Sequence, residues 1–223
     1  MTAGTHQRGG LLCGLVTHHL FIAPYYEEAN LYSKIFIITL YCLATTVGSL
    51  LPDIDMTGSQ MGKLFPFISK FIAKNFKHRT LTHSFLSIAF FFVLIACAPL
   101  LDVGNEFYII ITCGLMLGHI SHIVLDLFTH QGVCLFYPCK KKIKLANFKT
   151  GAKGERFISQ MLLISMVLYV LYETYTTMVC HSSIKPVKYG FYFVLGYLIA
   201  FFSNFFKIMS LTSTSNTSAI CMQ

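Results

Sequence analysis

The run SFLSIAFFFVLIACAPLL, residues 84 to 101, carries no charged side chain. An uninterrupted apolar stretch of this length is hard to place in a water-soluble domain, and about 20 such residues cross the hydrocarbon core of a bilayer. It has companions at 35 to 51, 107 to 128, 157 to 179 and 191 to 206. A sixth, GGLLCGLVTHHLFIAPYY at 9 to 26, is interrupted by His18 and His19 and reads as a tilted or re-entrant half-span. With 55% apolar and only 12% charged residues, the chain has too little polar surface for a soluble globule. The expectation is an all-α, polytopic membrane bundle of about five to six segments, a single domain over 1 to 210, and a Ser/Thr-rich flexible tail at 211 to 223.

The start of the first segment is nearly uncharged and lacks a small-residue cleavage site, so no cleavable signal peptide is expected. Of the eight cysteines, Cys13, Cys42, Cys97 and Cys113 lie inside apolar segments, where cysteine behaves as a small hydrophobe. Cys134 and Cys139 are spaced too widely for a CxxC knuckle.

Lysine and arginine set the orientation, because short cytoplasmic loops hold their excess. The loop at 52 to 83 carries Lys63, Lys70, Lys74, Lys77 and Arg79. The loop at 129 to 156 carries Lys140, Lys141, Lys142, Lys144, Lys149, Lys153 and Arg156. With Arg8 and Lys207 on the same side, fourteen of the seventeen basic residues are cytoplasmic in a six-segment arrangement. The net charge of +8 is then accounted for by topology and by attraction to anionic headgroups. Nucleic-acid binding has no independent support.

On that topology several polar groups collect at the cytoplasmic ends of the segments. His122 and Asp126 are i and i+4 on one helix face. Asp53 and Asp55 follow the segment that Pro52 ends. HRTLTHSF, with His78, Arg79 and His83, stands before the apolar run at 84, and His6 precedes the first segment. A single histidine near a helix end is ordinarily interfacial, which is the reading for His18, His19 and His181; His119 fits packing and function equally. Asp53 or Asp55 alone could be a turn residue, and FPFISKFIAKNFKHR could be a basic amphipathic stretch lying in the interface. The set weighs more than its members, because ionisable side chains inside apolar segments are costly and usually mark a site.

Imidazole nitrogen and carboxylate oxygen without thiolate suit zinc, with manganese or iron(II) as alternatives. Two aspartates at i and i+2 with three or four histidines supply ligands for two ions, and Arg79 would hold a phosphate. His83 is the expected metal ligand; His78 is a second ligand or a proton donor. The five-residue separation of the two requires a bend, expected from Thr80 or Thr82 capping the following helix.

Five motifs occur in order: Thr5-His6 with Gly9-Gly10, Leu50 to Asp55, His78 to Ser84, Leu117 to Pro138, and Glu155 to Phe157. They resemble the YdjM-like family of bacterial membrane-bound, metal-dependent hydrolases over residues 1 to about 160. Distant similarity groups that family with the phospholipase C and P1 nuclease superfamily of helical zinc phosphodiesterases. The resemblance implies a multi-pass protein of the bacterial inner membrane, and the distribution of Lys and Arg puts its active site on the cytoplasmic side. It implies a metal set drawn from His6, Asp53, Asp55, His78, His83, His122 and Asp126, with His130 as a further ligand and Glu155 as ligand or base. The chain has no tryptophan and no downstream HxxxE pair, so two ions are expected rather than three. The implied activity is hydrolysis of a phosphoester in a lipid headgroup or lipid-linked substrate. The alternative is a non-enzymatic protein that binds or transports a divalent cation.

Overall fold

The computed structural model describes residues 1–26, 28–101 and 106–180. Its regular structure is helical: α1 (Ala3–Phe21), α2 (Leu31–Gly48), α3 (Gln60–Leu64), α4 (Pro66–Asn75), α5 (Phe85–Cys97), α6 (Glu106–Leu127) and α7 (Lys153–Cys180). No β-strand is formed among the described residues; the loop after α6 has only isolated bridges, Thr129 with Phe148 and Val133 with Ile143. The chain divides into two compact units, Met1–Val167 and Leu168–Gln223.

Among the described residues, three helical stretches are long and apolar enough to cross a membrane: Leu31–Asp55, Glu106–Leu127 and Lys153–Thr176. The apolar helix Phe85–Cys97 is shorter. The segment expected at 191 to 206 and the tail at 211 to 223 lie outside the described residues. The interrupted stretch at 9 to 26 forms one continuous helix to Phe21, but α1 is not among the long apolar spans. His6, Gln7, Arg8, His18 and His19 lower its mean hydropathy.

Helices α1, α2 and α6 pack against one another, and α5 lies on α6. Two glycines permit the α2–α6 approach. A methyl group on Gly118 would stand 2.0 Å from the Thr45 carbonyl oxygen, and one on Gly48 would stand 2.3 Å from that of Leu115. In lipid, where tails are as apolar as leucine, such small-residue contacts drive helix association through close van der Waals packing. The outer faces are apolar as well: Phe90, Phe92 and Val93 of α5 and Leu163, Ile164 and Val167 of α7 are exposed. Left in water, such surface would be an aggregation hazard; facing acyl chains, it is solvated.

The end of the bundle formed by the start of α1, the end of α2, the start of α5 and the end of α6 is where the chain turns polar. Asn30 caps α2, accepting from the Ser33 amide at 2.9 Å. After Gly48 the chain tightens into the 3-10 turn Leu51–Asp55, with Pro52 in its first turn. A second 3-10 turn, Leu81–His83, leads into α5. The expected side-chain cap at Thr80 or Thr82 is absent: Ser84 stands at the cap position and makes no side-chain cap bond. The bend between His78 and His83 comes from Arg79 instead, whose φ of 63° lies in the left-handed region, costly for a residue with a Cβ.

Candidate metal centre

Four stretches deliver the site. The 3-10 turn after α2 brings Asp53 and Asp55, the turn before α5 brings His78 and His83, the last turns of α6 bring His122 and Asp126, and α1 brings His6. His6, Asp55, His83, His122 and Asp126 are all buried.

His122 is the hub. Its Nδ1 donates to the Ser49 carbonyl oxygen at 2.6 Å, which orients the ring and turns Nε2 towards the other groups. Nε2 faces His83 Nε2 at 3.2 Å, Asp126 Oδ2 at 3.7 Å and Asp53 Oδ1 at 3.7 Å. His83 Nε2 is in turn 3.6 Å from Asp126 Oδ2. Ligand bonds of about 2.0 to 2.2 Å in a tetrahedral zinc site separate the ligand atoms by roughly 3.4 Å, close to these spacings.

The ligand-type atoms fall into three groups, in each of which they lie within 4.8 Å of one another: His6, Asp53 and His122; His83, His122 and Asp126; Asp53, Asp55 and His78. His122 and Asp53 are shared, so the groups adjoin. The His6 ring stacks on His122 with centroids 3.6 Å apart, and neither of its nitrogens has a hydrogen bond. Asp126 Oδ2 also makes no hydrogen bond, although it is ion-paired with Arg79 Nη2 at 2.8 Å, and His6 Nε2 stands 3.5 Å from Asp126 Oδ1. Buried polar atoms without partners are uncommon, and their convergence here fits a cation better than it fits a finished polar core.

Charge points the same way. The carboxyl groups of Asp53, Asp55 and Asp126 gather here, opposed by Arg79 and by the Met1 amine, which lies 2.8 Å from Asp126 Oδ1. Burial pushes the His83 imidazole well below its ordinary pKa and His122 pushes it further, so it is neutral at pH 7 and free to donate a nitrogen lone pair.

A second layer holds these atoms in place. Asp55 accepts from the Arg79 amide at 3.0 Å and the Thr82 hydroxyl at 2.8 Å, and pairs with His78 Nδ1 at 2.7 Å. Thr82 also meets His83 Nδ1 at 2.9 Å. Arg79 Nη1 donates to Thr129 Oγ1 at 2.6 Å, and that hydroxyl donates to the Asp126 carbonyl oxygen at 2.7 Å. The guanidinium expected to face a phosphate is therefore buried and engaged with Asp126 and Thr129. Ser49 and Thr129 carry no sign in the sequence beyond adjacency to the motifs, Thr129 standing three residues after Asp126, while Thr82, expected as a helix cap, meets Asp55 and His83 instead.

Glu155, His130 and His119 stand elsewhere.

 The Glu155 carboxylate is used up at the start of α1, accepting from the hydroxyls of Thr2 (2.7 Å) and Thr5 (2.9 Å) and from the amides of Thr2 and Gly151. It fastens α7 to α1 and belongs to none of the three ligand groups. His130 is exposed and meets Asn147 Oδ1 at 2.8 Å. His119 Nε2 meets Ser87 Oγ at 2.8 Å while its ring packs on Phe91, tying α6 to α5.

The sequence profile described as YdjM inner membrane protein matches residues 1–207. The chain belongs to the YdjM inner membrane protein family. The Bacillus subtilis protein described as uncharacterized protein YvsG is 32% identical over 172 residues, covering 76% of this chain and 94% of that one. The Escherichia coli inner membrane protein YdjM is 32% identical over 168 residues, covering 74% of this chain and 80% of its own length. No solved structure matches the chain.

Proposed function

We propose that this YdjM-family protein is a metal-dependent hydrolase of the bacterial inner membrane, acting at the cytoplasmic face on a phosphoester of a lipid headgroup or lipid-linked substrate. The observation that carries the reading is the convergence of His83, His122 and Asp126 at ligand spacing, with two adjoining His/Asp groups beside them. The inner-membrane location is supported by the name of the Escherichia coli relative and by the apolar spans.

His83, His122 and Asp126 would hold one divalent ion, and Asp53, Asp55 and His78 a second, with His6 beside the shared His122. Two such ions, zinc by donor chemistry, would supply Lewis acidity for activating a water and for offsetting charge on a phosphoester. The protein's own part is positional. Ser49 holds His122 in the orientation that presents Nε2, and Thr82 orients both Asp55 and His83. His78, half-buried and paired with Asp55, is the site imidazole closest to solvent, and serves either as that second ion's ligand or, unliganded, as the group that passes a proton to a leaving group. Arg79 offsets the charge of Asp126.

The opposing reading, a cation carrier, asks for ligands near the middle of several spans. Here they sit near the start of α1, at the end of α6 and in two turns, which favours the hydrolase. Protein purified in detergent is expected to hold about two divalent ions per chain by elemental analysis, and His122→Ala with Asp126→Ala to lose most of them. Unchanged metal content in the double variant overturns the ligand set. Metal-loaded protein that releases neither phosphate nor a phosphorylated headgroup from a bacterial lipid extract overturns the hydrolase reading and leaves the cation-binding one.

A further inference from the structure

Between Asp55 and His78 the chain makes an excursion whose two ends are joined by the 2.7 Å contact of those residues. Residues 56–77 carry Lys63, Lys70, Lys74 and Lys77 and no aspartate or glutamate. Helix α4 within it has an inner side and an outer side. Ser69 is fully buried and faces the protein, beside Gly62, on which an added Cβ would come 3.0 Å from the Ser69 hydroxyl. On the outer side Phe67 is 88% exposed and Phe71 66%, and Ile68 is exposed next to them. Phe67 and Phe71 are i and i+4, so they form one stripe; Lys70 and Lys74 form the neighbouring stripe, each three residues on from one of the phenylalanines.

Two bare phenylalanines bordered by lysines are costly in water and well placed at a bilayer surface, where rings enter the acyl boundary and lysine stems reach back to the headgroups. Four cations without an anion complement an acidic leaflet rather than a neutral one. The excursion leaves and rejoins the bundle at the polar ends of α2 and α5, both apolar helices, so a lipid surface is within reach. We propose that α4 is an interfacial helix that seats its Phe67–Phe71 face in an anionic leaflet, with Lys63, Lys70, Lys74 and Lys77 on the headgroups. Docked this way, the excursion holds the Asp55–His78 pair, the more exposed side of the metal centre, at headgroup level. That consequence for substrate delivery rests on the hydrolase reading; the docking does not.

The chain contains no tryptophan, so Phe67→Trp gives a protein with a single reporter. The full chain is placed in nanodiscs of phosphatidylcholine alone or of equal parts phosphatidylcholine and phosphatidylglycerol, with and without brominated acyl chains. In the anionic discs the emission is expected at shorter wavelength and to lose most of its intensity to bromine, more than in the neutral discs. Lys70→Gln with Lys74→Gln in the same background is expected to remove that difference. Equal quenching in both compositions overturns the assignment to an anionic surface. Emission at long wavelength, unquenched by bromine and open to acrylamide, overturns docking altogether. A reporter shielded from bromine and acrylamide alike means that a second copy of the chain covers the face, and overturns it too. Phe71→Trp repeats the measurement if the first variant fails to fold. None of these readouts requires turnover, so a negative result here is distinct from a failure of the hydrolase reading.

Discussion

Arg79 shows how much one residue can be asked to do. Its backbone bends the chain at a φ of 63°, its amide donates to Asp55, its carbonyl accepts from Cys134, and its side chain lies on Asp126 and Thr129. A non-glycine residue in the left-handed region costs roughly 1 to 2 kcal/mol, which these contacts offset. The sequence marked Arg79 as a charged neighbour of two histidines; the left-handed turn and the burial of its guanidinium come from packing against residues 129–135, some fifty positions away, and no local pattern announces them. The geometry also changes what a substitution should do. Arg79→Lys loses the planar fork that serves Asp126 and Thr129 together, and removing a partner of a metal ligand typically weakens metal binding by about 10- to 100-fold. Chelator competition on the purified variant should show a loss in that range; wild-type affinity would return Arg79 to a role in holding phosphate alone.

At the scale of elements, α2 and α6 were plain in the sequence because a long apolar run in a bilayer has few options but helix. The i, i+4 pairing of His122 and Asp126 was equally plain, since helix geometry alone puts them on one face. The break between α3 and α4 at Phe65 was not, nor was the use of Glu155 as a clasp between α7 and α1, because both depend on partners distant in sequence. Glycine placement carries a testable difference between two helices. Gly118 of α6 meets the Thr45 carbonyl oxygen, one turn from His122, whereas an added Cβ on Gly4 of α1 has no atom within 4 Å. Gly118→Ala must push α6 off α2, and overpacking of this kind costs about 1 to 3 kcal/mol. Gly4→Ala gains roughly 0.5 to 1 kcal/mol from reduced backbone freedom. Thermal unfolding in detergent should therefore move down for the first and up or not at all for the second. A Gly118→Ala protein as stable as the parent would mean that the α2–α6 contact is looser than it looks.

For the whole molecule, the question is which side of the membrane the metal centre faces. Within the first unit, the end of α2, the end of α6 and the starts of α1 and α5 meet at one end of the bundle, and both basic loops, 52–83 and 129–156, spring from that end. Twelve of the seventeen basic residues are in those two loops. Short loops so rich in lysine resist transfer across the inner membrane, and the bias of Lys and Arg sets the orientation. The site end should therefore be cytoplasmic, and the turn between α5 and α6 should be on the other side. Reporter fusions separate the two arrangements. A phosphatase domain, active only outside the cytoplasm, should be inactive when joined after Lys142 and active when joined within residues 102–105; a fluorescent protein that matures only in the cytoplasm should give the reverse. The opposite pattern at both junctions would put the centre outside, where a cytoplasmic phosphoester could not reach it, and would also place the lysines of α4 against the wrong leaflet. Agreement would leave metal, headgroup and lysine-rich helix facing the same aqueous compartment, as the hydrolase reading requires.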